Sequence, residues 1–174
     1  ELTMAGPWAS INNLIAANGL VFLTDQDNVN TVFLNIQVSD GALADSTATS
    51  LIVAAVNDAP QISVPLLQTV LQDATLTFNA ANGNPISISD VDAGTNPIKL
   101  LLTTTSGLLS LGSTNGLSFD IGNGTADNTM EFTGTLADIN AALNGLAFEP
   151  TGGYYGPAAI NITADDQGAT GSGG

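Results

Sequence analysis

The chain is poor in several residue types, and each shortage excludes a class of structure or partner. It has no Cys, so neither disulfides nor thiolate metal sites hold the fold together. It also has no His and no Arg, and Lys99 stands alone against sixteen Asp and Glu, which gives a net charge of −15. Nucleic acid is excluded as a partner because phosphate contacts need clustered cations, and anionic membrane surfaces are disfavoured for the same reason.

Aromatic residues and long apolar runs are also scarce. Aromatics make up 5% of the chain, and the longest purely apolar run, Leu51 to Val56, is far too short to span a bilayer. We therefore expect no membrane insertion. Hydrophobic residues still reach 44%, which allows a core, and the 19 Gly favour short strands and turns. The opening "ELTMAGPW" shows neither an initiator Met nor a signal peptide, which predicts a piece of a longer protein.

An internal repeat sets the predicted organisation of the chain. "WASINNLIAANGLVF" (8–22) matches "LADINAALNGLAF" (136–148), with an offset of 128 residues. "FLNIQVSDGA" (33–42) matches "AINITADDQGA" (159–169), with an offset of 126 residues. The repeat therefore predicts two successive modules of similar structure.

The position of the repeat predicts that neither module is complete. Residues 1–57 form the C-terminal half of one module, and residues 58–174 form a second module that lacks its last strand. The first module continues into "STATSLIVAAV" (46–56), and the second stops at "ATGSGG" before an equivalent stretch. A partner chain or further native sequence would have to supply the missing strands.

The local patterns predict an all-β fold with one short helix in each module. Short alternating runs and Asn-Gly pairs at 82–83, 115–116 and 123–124 are typical of strands and tight turns. The segment "TLADINAALNG" breaks the pattern, with Thr135 and Asp138 as a near capping box and Gly145 at the C′ position. Its first copy has Pro7 at the first helical position and Gly19 at the end. The fold class predicted is a β-sandwich of about seven strands in each module.

The segment "VNDAP" predicts a stiff link between the modules. It has no Gly or Asn-Gly with which to turn a hairpin. Pro60 fixes its own φ and pushes Ala59 into an extended conformation. The chain therefore runs straight on, and Asn57 and Asp58 lie at the junction.

Carboxylates cluster at loops and strand ends, where they predict a calcium site. Asp90 and Asp92 in "ISDVDAG" lie on one side of an extended segment, and Asp40, Asp58 and the pair Asp165-Asp166 follow predicted strands. Oxygen ligands without His or Cys suit Ca²⁺, which takes six to eight oxygens in irregular geometry. The alternative is that these Asp residues only end strands and cap turns. Catalysis is not expected, because no His or Cys is present and no carboxyl stands out from the others.

Together, "VNDAP", "ISDVDAG" and "FTGTLADINAALNGLAFEPTGGYYGPAAINITADDQG" resemble the cadherin-like tandem repeats of large bacterial surface and secreted adhesins. The resemblance covers 57–168 well and 1–56 as a partial copy that departs from the pattern at "LTDQDNVN" (23–30). It implies Greek-key, cadherin- or Ig-like β-sandwich modules in tandem, an extracellular location at the cell surface, and calcium at the junctions. The ligands that it implies are Asp58, Asp90 and Asp92, with Asp40 and Asp165 or Asp166 as the strand-end ligands of successive junctions.

Two functions follow as hypotheses. The first is a calcium-stiffened structural or extender repeat of a long adhesin that mediates attachment and has neighbouring repeats as its partners. The second is a self-assembling extracellular filament or surface-layer subunit, in which copies of the protein are joined by strand exchange. An extracellular polysaccharide or a host cell surface is a further possible partner, through Tyr154 and Tyr155. Trp8 shares its repeat position with Leu136, which predicts a place in the core.

Overall fold

The computed structural model of the protein describes residues 4–17, 21–23 and 30–168. The chain divides into two compact units, unit 1 (Glu1–Val53) and unit 2 (Ala54–Gly174), whereas the repeat predicts the boundary at 57/58. Gly19, predicted to end the first helix, lies outside the described residues. The elements are α1 (Trp8–Ala16), β1 (Val32–Ser39), β2 (Ala44–Leu51), β3 (Gln61–Ser63), β4 (Leu76–Phe78), β5 (Ser87–Ser89), β6 (Ile98–Thr104), β7 (Gly107–Ser110), β8 (Ser118–Ile121), β9 (Thr129–Gly134), α2 (Leu136–Leu143), β10 (Leu146–Pro150) and β11 (Ile160–Asp165).

Within its described residues, unit 1 consists of α1 and an antiparallel pair of strands. Pro7, at φ −56°, is the N-cap residue of α1, one position before the N1 site at which the sequence predicts it. Strands β1 and β2 pair from Val32↔Leu51 to Ser39↔Ala44. The prediction that Trp8 is buried is wrong, because its side chain is 69% exposed. No strand described in unit 1 corresponds to β5 and β9, against which α2 packs in unit 2.

Three antiparallel sheets are formed by residues 54–168, the part of unit 2 that the structure describes. The strand orders are β4-β10-β7, β11-β6-β9-β8 and β3-β5. Alternation in the sequence accounts for the central strands. In β9 the side chains of Met130 and Phe132 are buried while those between them are half-buried, and β6 alternates in the same way. Lys99 of β6 lies between the alternating buried residues and forms ion pairs with Asp120 and Glu131.

One hydrophobic core joins the two larger sheets of unit 2. Leu100, Leu102 and Phe132 come from the four-stranded sheet, and Phe78 and Phe148 come from the three-stranded one. The chain is therefore mostly β, with antiparallel sheets throughout the described residues. None of the helices among those residues has the length and apolar character needed to cross a membrane.

Helix α2 lies where the sequence predicts it and fixes the position of β5. The Thr135 side chain accepts a hydrogen bond from Asp138 N at 3.2 Å, and Gly145 has φ +117° beyond the last turn. Asn140 joins the helix to β5 through two bonds to one residue: its Nδ2 donates to Ile88 O (2.8 Å) and its Oδ1 accepts from Ile88 N (2.9 Å). The strand that leads to Asp90 is thus held by the helix.

We expect Gly107→Ala to destabilise unit 2 by about 1–3 kcal/mol, because overpacking at this position cannot relax easily. A Cβ there would lie 2.4 Å from Phe148 Cε2 and 2.6 Å from Glu149 O, and the latter atom belongs to the paired strand β10. Urea unfolding followed by circular dichroism measures the change. Gly152→Ala is the matched control, since nothing lies within 4 Å of its Cβ position. Equal stability of the two variants would contradict the close approach of β7 and β10.

Candidate metal site

Three carboxylates from two distant parts of unit 2 meet at one end of its strands. Asp90 directly follows β5, Asp92 lies two residues further on, and Asp166 directly follows β11. Each contributes an oxygen, and these oxygens all lie within 4.8 Å of one another. Asp166 is 6% exposed, and Asp90 and Asp92 are half-buried. This cluster could hold a metal ion.

The loop after β5 turns Asp90 into the cluster. Its Oδ1 accepts hydrogen bonds from the backbone of Asp92 (3.1 Å) and of Ala93 (2.8 Å), which folds the loop around the carboxylate. Its Oδ2 is buried and has no hydrogen-bond partner among the described residues. A buried carboxylate oxygen without a donor is costly, and a cation would satisfy it. The donor set therefore fits a hard metal ion.

The segment "VNDAP" (56–60), which the sequence predicts to be a link and which lies within unit 2, is bonded directly to the cluster. The Asn57 side chain, 5% exposed, donates from Nδ2 to Asp166 Oδ2 at 2.6 Å. The backbone N–H of Asp58 donates to Asp92 Oδ2 at 3.1 Å. The second oxygen of Asp166 accepts from Gly168 N at 3.1 Å. Two successive residues of "VNDAP" thus contact two of the three clustered carboxylates.

Electrostatic repulsion opposes this arrangement when no cation is present. Burial, and then the neighbouring carboxyl of Asp92, raises the pKa of Asp90 above the ordinary value of an aspartate. Two unit charges about 4.8 Å apart repel by on the order of 3 kcal/mol at an effective dielectric constant of about 20. Lys99, the one basic side chain, is already paired with Asp120 and Glu131. A cation bound by the three carboxylates would supply neutralising charge.

The other predicted ligands do not belong to the three-carboxylate cluster. Asp58 is exposed and contacts the cluster through its backbone N–H. Asp165 is exposed, and its Oδ1 accepts from Gln167 N at 2.7 Å. Asp40 belongs to unit 1, where the backbone N–H groups of Leu43 and then Ala42 lower the pKa of its carboxyl. Asp40 therefore has the role of a turn residue within its own unit.

Asn57 is the residue of the site that sequence reasoning missed. The sequence places Asn57 at the junction but predicts neither a metal-binding role nor a hydrogen-bond partner for its side chain. The available signal was its position next to Asp58, because a link residue beside a candidate ligand lies within reach of the same cluster. Its amide supplies a donor that positions a buried carboxylate oxygen.

The tyrosines proposed as a polysaccharide contact differ in their surroundings. Tyr155 is 86% exposed, while the hydroxyl of Tyr154 donates to Pro157 O at 2.7 Å. Sugar binding at this pair stays a prediction.

Comparison with known proteins adds no relative: no protein-family model, no curated protein and no solved structure matches the chain significantly.

In chelator, we expect wild-type stability to fall relative to that of Asp90→Asn as the pH rises above 3.8. The raised pKa means that folded Asp90 holds a proton that the unfolded chain has already lost, so ionisation opposes folding across this window. The Asn side chain keeps the Oδ1 acceptor and removes the charge. Urea unfolding of both proteins in EGTA at about pH 3 and about pH 7 measures the difference. A variant that is destabilised equally at both pH values would show that Asp90 acts only as a turn acceptor.

Proposed function

We propose that the chain is a calcium-stiffened extender repeat of a long extracellular bacterial adhesin, built of β-sandwich modules in series. The observation that carries this proposal is the attachment of the link to the carboxylate cluster through Asn57 and Asp58. A cation bound by the cluster would fix the start of unit 2 at the point where the preceding module joins it. Stiffness at such a junction is what an extended stalk needs for cell-surface attachment.

Calcium is the metal that these donors suit best. The cluster offers only carboxylate oxygens, and the sequence has no His or Cys that would favour zinc or copper. Ca²⁺ accepts six to eight oxygens in irregular geometry, whereas Mg²⁺ demands a near-octahedral shell and gives up its waters reluctantly. Extracellular calcium modules bind at about 10⁻⁴ to 10⁻³ M, an affinity compatible with a site of three carboxylates.

The charge balance supports a role that depends on a cation. With a net charge of −15 and one basic side chain, the compact state repels itself until cations accumulate. In a calcium-poor compartment the cluster and the link would loosen, and in a calcium-rich one they would tighten. Folding and stiffening of the stalk would then be coupled to secretion.

We expect calcium to raise the stability of unit 2 by about 2.7 kcal/mol when its concentration is about a hundred times Kd, because only the folded site binds. For a domain of this size the rise corresponds to about 10 °C in Tm. Calorimetry in about 10 mM Ca²⁺, about a hundred times a Kd of about 10⁻⁴ M, and in EGTA measures it. The double variant Asp90→Asn/Asp92→Asn should lose the shift. Asp165→Asn, the adjacent carboxylate outside the cluster, should keep it.

Hydrogen exchange would test whether calcium also stiffens the link. We expect amides of residues 54–59 to exchange more slowly in Ca²⁺ than in EGTA, since Asp58 N donates to a carboxylate that the ion would immobilise. Asn57→Ala should weaken this protection while leaving Asp90 and Asp92 in place. If calcium binds but the link amides gain no protection, the cluster is a metal site and the proposal that calcium stiffens the junction is wrong.

A further inference from the structure

An apolar groove of about 600 Å³ runs along one side of unit 2, next to strand β11. Phe78, Ile86 and Phe148 line it, and Ile160 and Ile162 of β11 line it as well. The segment 64–72, which contains no helix or strand, also lines the groove. Within this segment Leu66 is 90% exposed and Leu67 is 96% exposed. The groove thus borders the core of unit 2 beside a sheet edge.

The backbone of β11 has one edge free along this groove. In an antiparallel ladder, the backbone groups of alternate residues point to opposite neighbours. Ala159 O accepts a hydrogen bond from Thr105 N at 3.0 Å, so the backbone N–H and C=O groups of Ala159 and Asn161 point toward β6. The backbone N–H and C=O groups of Ile160 and Ile162 therefore point away from β6. On that side, no strand of the described chain pairs with β11.

In unit 1 the corresponding edge is occupied. Asp40 N donates a hydrogen bond to Leu43 O at 3.2 Å, so the backbone groups of Asp40 point toward β2. By alternation along the strand, those of Leu34 point the same way. The repeat offset of 126 residues relates Leu34 to Ile160. The strand β2 therefore lies on the edge of β1 that is equivalent to the free edge of β11. The chain itself shows which kind of strand fits there.

We propose that the free edge of β11 and its groove bind the segment 44–56 of a second copy of this chain, as an antiparallel strand. The pairing of β1 with β2, transferred by the repeat, puts Ala48 opposite Asn161 and Thr49 opposite Ile160. Leu51 then lies opposite residue 158, and Val53 and Ala55 follow on the same face, toward the groove. Both the hydrogen-bonding edge and the apolar groove are filled.

Strand exchange of this kind is favoured because the β1-β2 pairing that each donor copy loses is weak. In unit 1 the strand β2 belongs to a two-stranded sheet that contains no fully buried residue, and such a pair is marginal on its own. In the groove it would extend a four-stranded sheet that covers a core. The donor copy keeps its own β11 edge free, so the contact is heterologous and propagates as an open chain of copies.

Cross-linking of single-cysteine variants tests the predicted register, because the native chain has no Cys. The Ala48→Cys and Asn161→Cys variants of the 174-residue chain are mixed in EGTA and about 0.5 M NaCl, which screens repulsion between the copies. Both positions are exposed. We expect a disulfide-linked dimer that forms about tenfold or more faster than with Glu149→Cys, an exposed position on β10. The double variant Ala48→Cys/Asn161→Cys should give a ladder of oligomers.

Two outcomes would overturn the proposal. One is that Ala48→Cys forms a disulfide with Asn161→Cys no faster than with Glu149→Cys, while light scattering shows that the variants are monomeric. The other is an intramolecular disulfide in the dilute double variant, which would place β2 of the same chain on the edge. A synthetic peptide of residues 44–56 carrying Ala48→Cys removes any dependence on folding of the donor. It should label the Asn161→Cys protein, and the peptide with Leu51→Asp and Val53→Asp added should not. Equal labelling by the two peptides would exclude the groove.

Discussion

The close approach of three carboxylates is the constraint on which the junction end of unit 2 depends. Asp90 and Asp166 are 76 residues apart in sequence, and their charges oppose the contact that the fold imposes on them. Neutral donors around them hold the arrangement: the side chain of Asn57, and the backbone N–H groups of Asp58 and Gly168. Because two of these donors belong to the link, whatever relieves the repulsion also determines how firmly the link is attached.

Local signals in the sequence predicted local structure well. Thr135 and Gly145 lie at the two ends of α2 as predicted, because capping depends on residues within one or two turns of the helix end. The glycines of the Asn-Gly pairs at 82–83, 115–116 and 123–124 all have positive φ. Only the pair at 123–124, however, lies between two strands that pair directly, β8 and β9. The turn chemistry fixes a backbone conformation, and the pairing of the flanking strands is decided elsewhere in the fold.

Features that depend on distant contacts were only partly predictable. The two Asp residues of "ISDVDAG" lie two positions apart in sequence and were grouped on that basis. The choice of Asp166 over Asp165, however, depends on which side chain faces inward after β11. Trp8 shows the same limit. Its repeat counterpart, Leu136, packs against a core that strands of unit 2 provide, so equivalent sequence positions differ in burial. Repeats predict local conformation, and burial requires the partner strands as well.

The position of Lys99 has a consequence for proteolysis. A protease with the specificity of trypsin has one peptide bond to cut in this sequence, the bond after Lys99, because no Arg or other Lys is present. That bond lies in β6, which is paired on both sides by β11 and β9, and the Lys side chain is itself held by two carboxylates. Cleavage requires the sheet to open. The rate of cutting by such a protease therefore reports how often the four-stranded sheet of unit 2 unfolds.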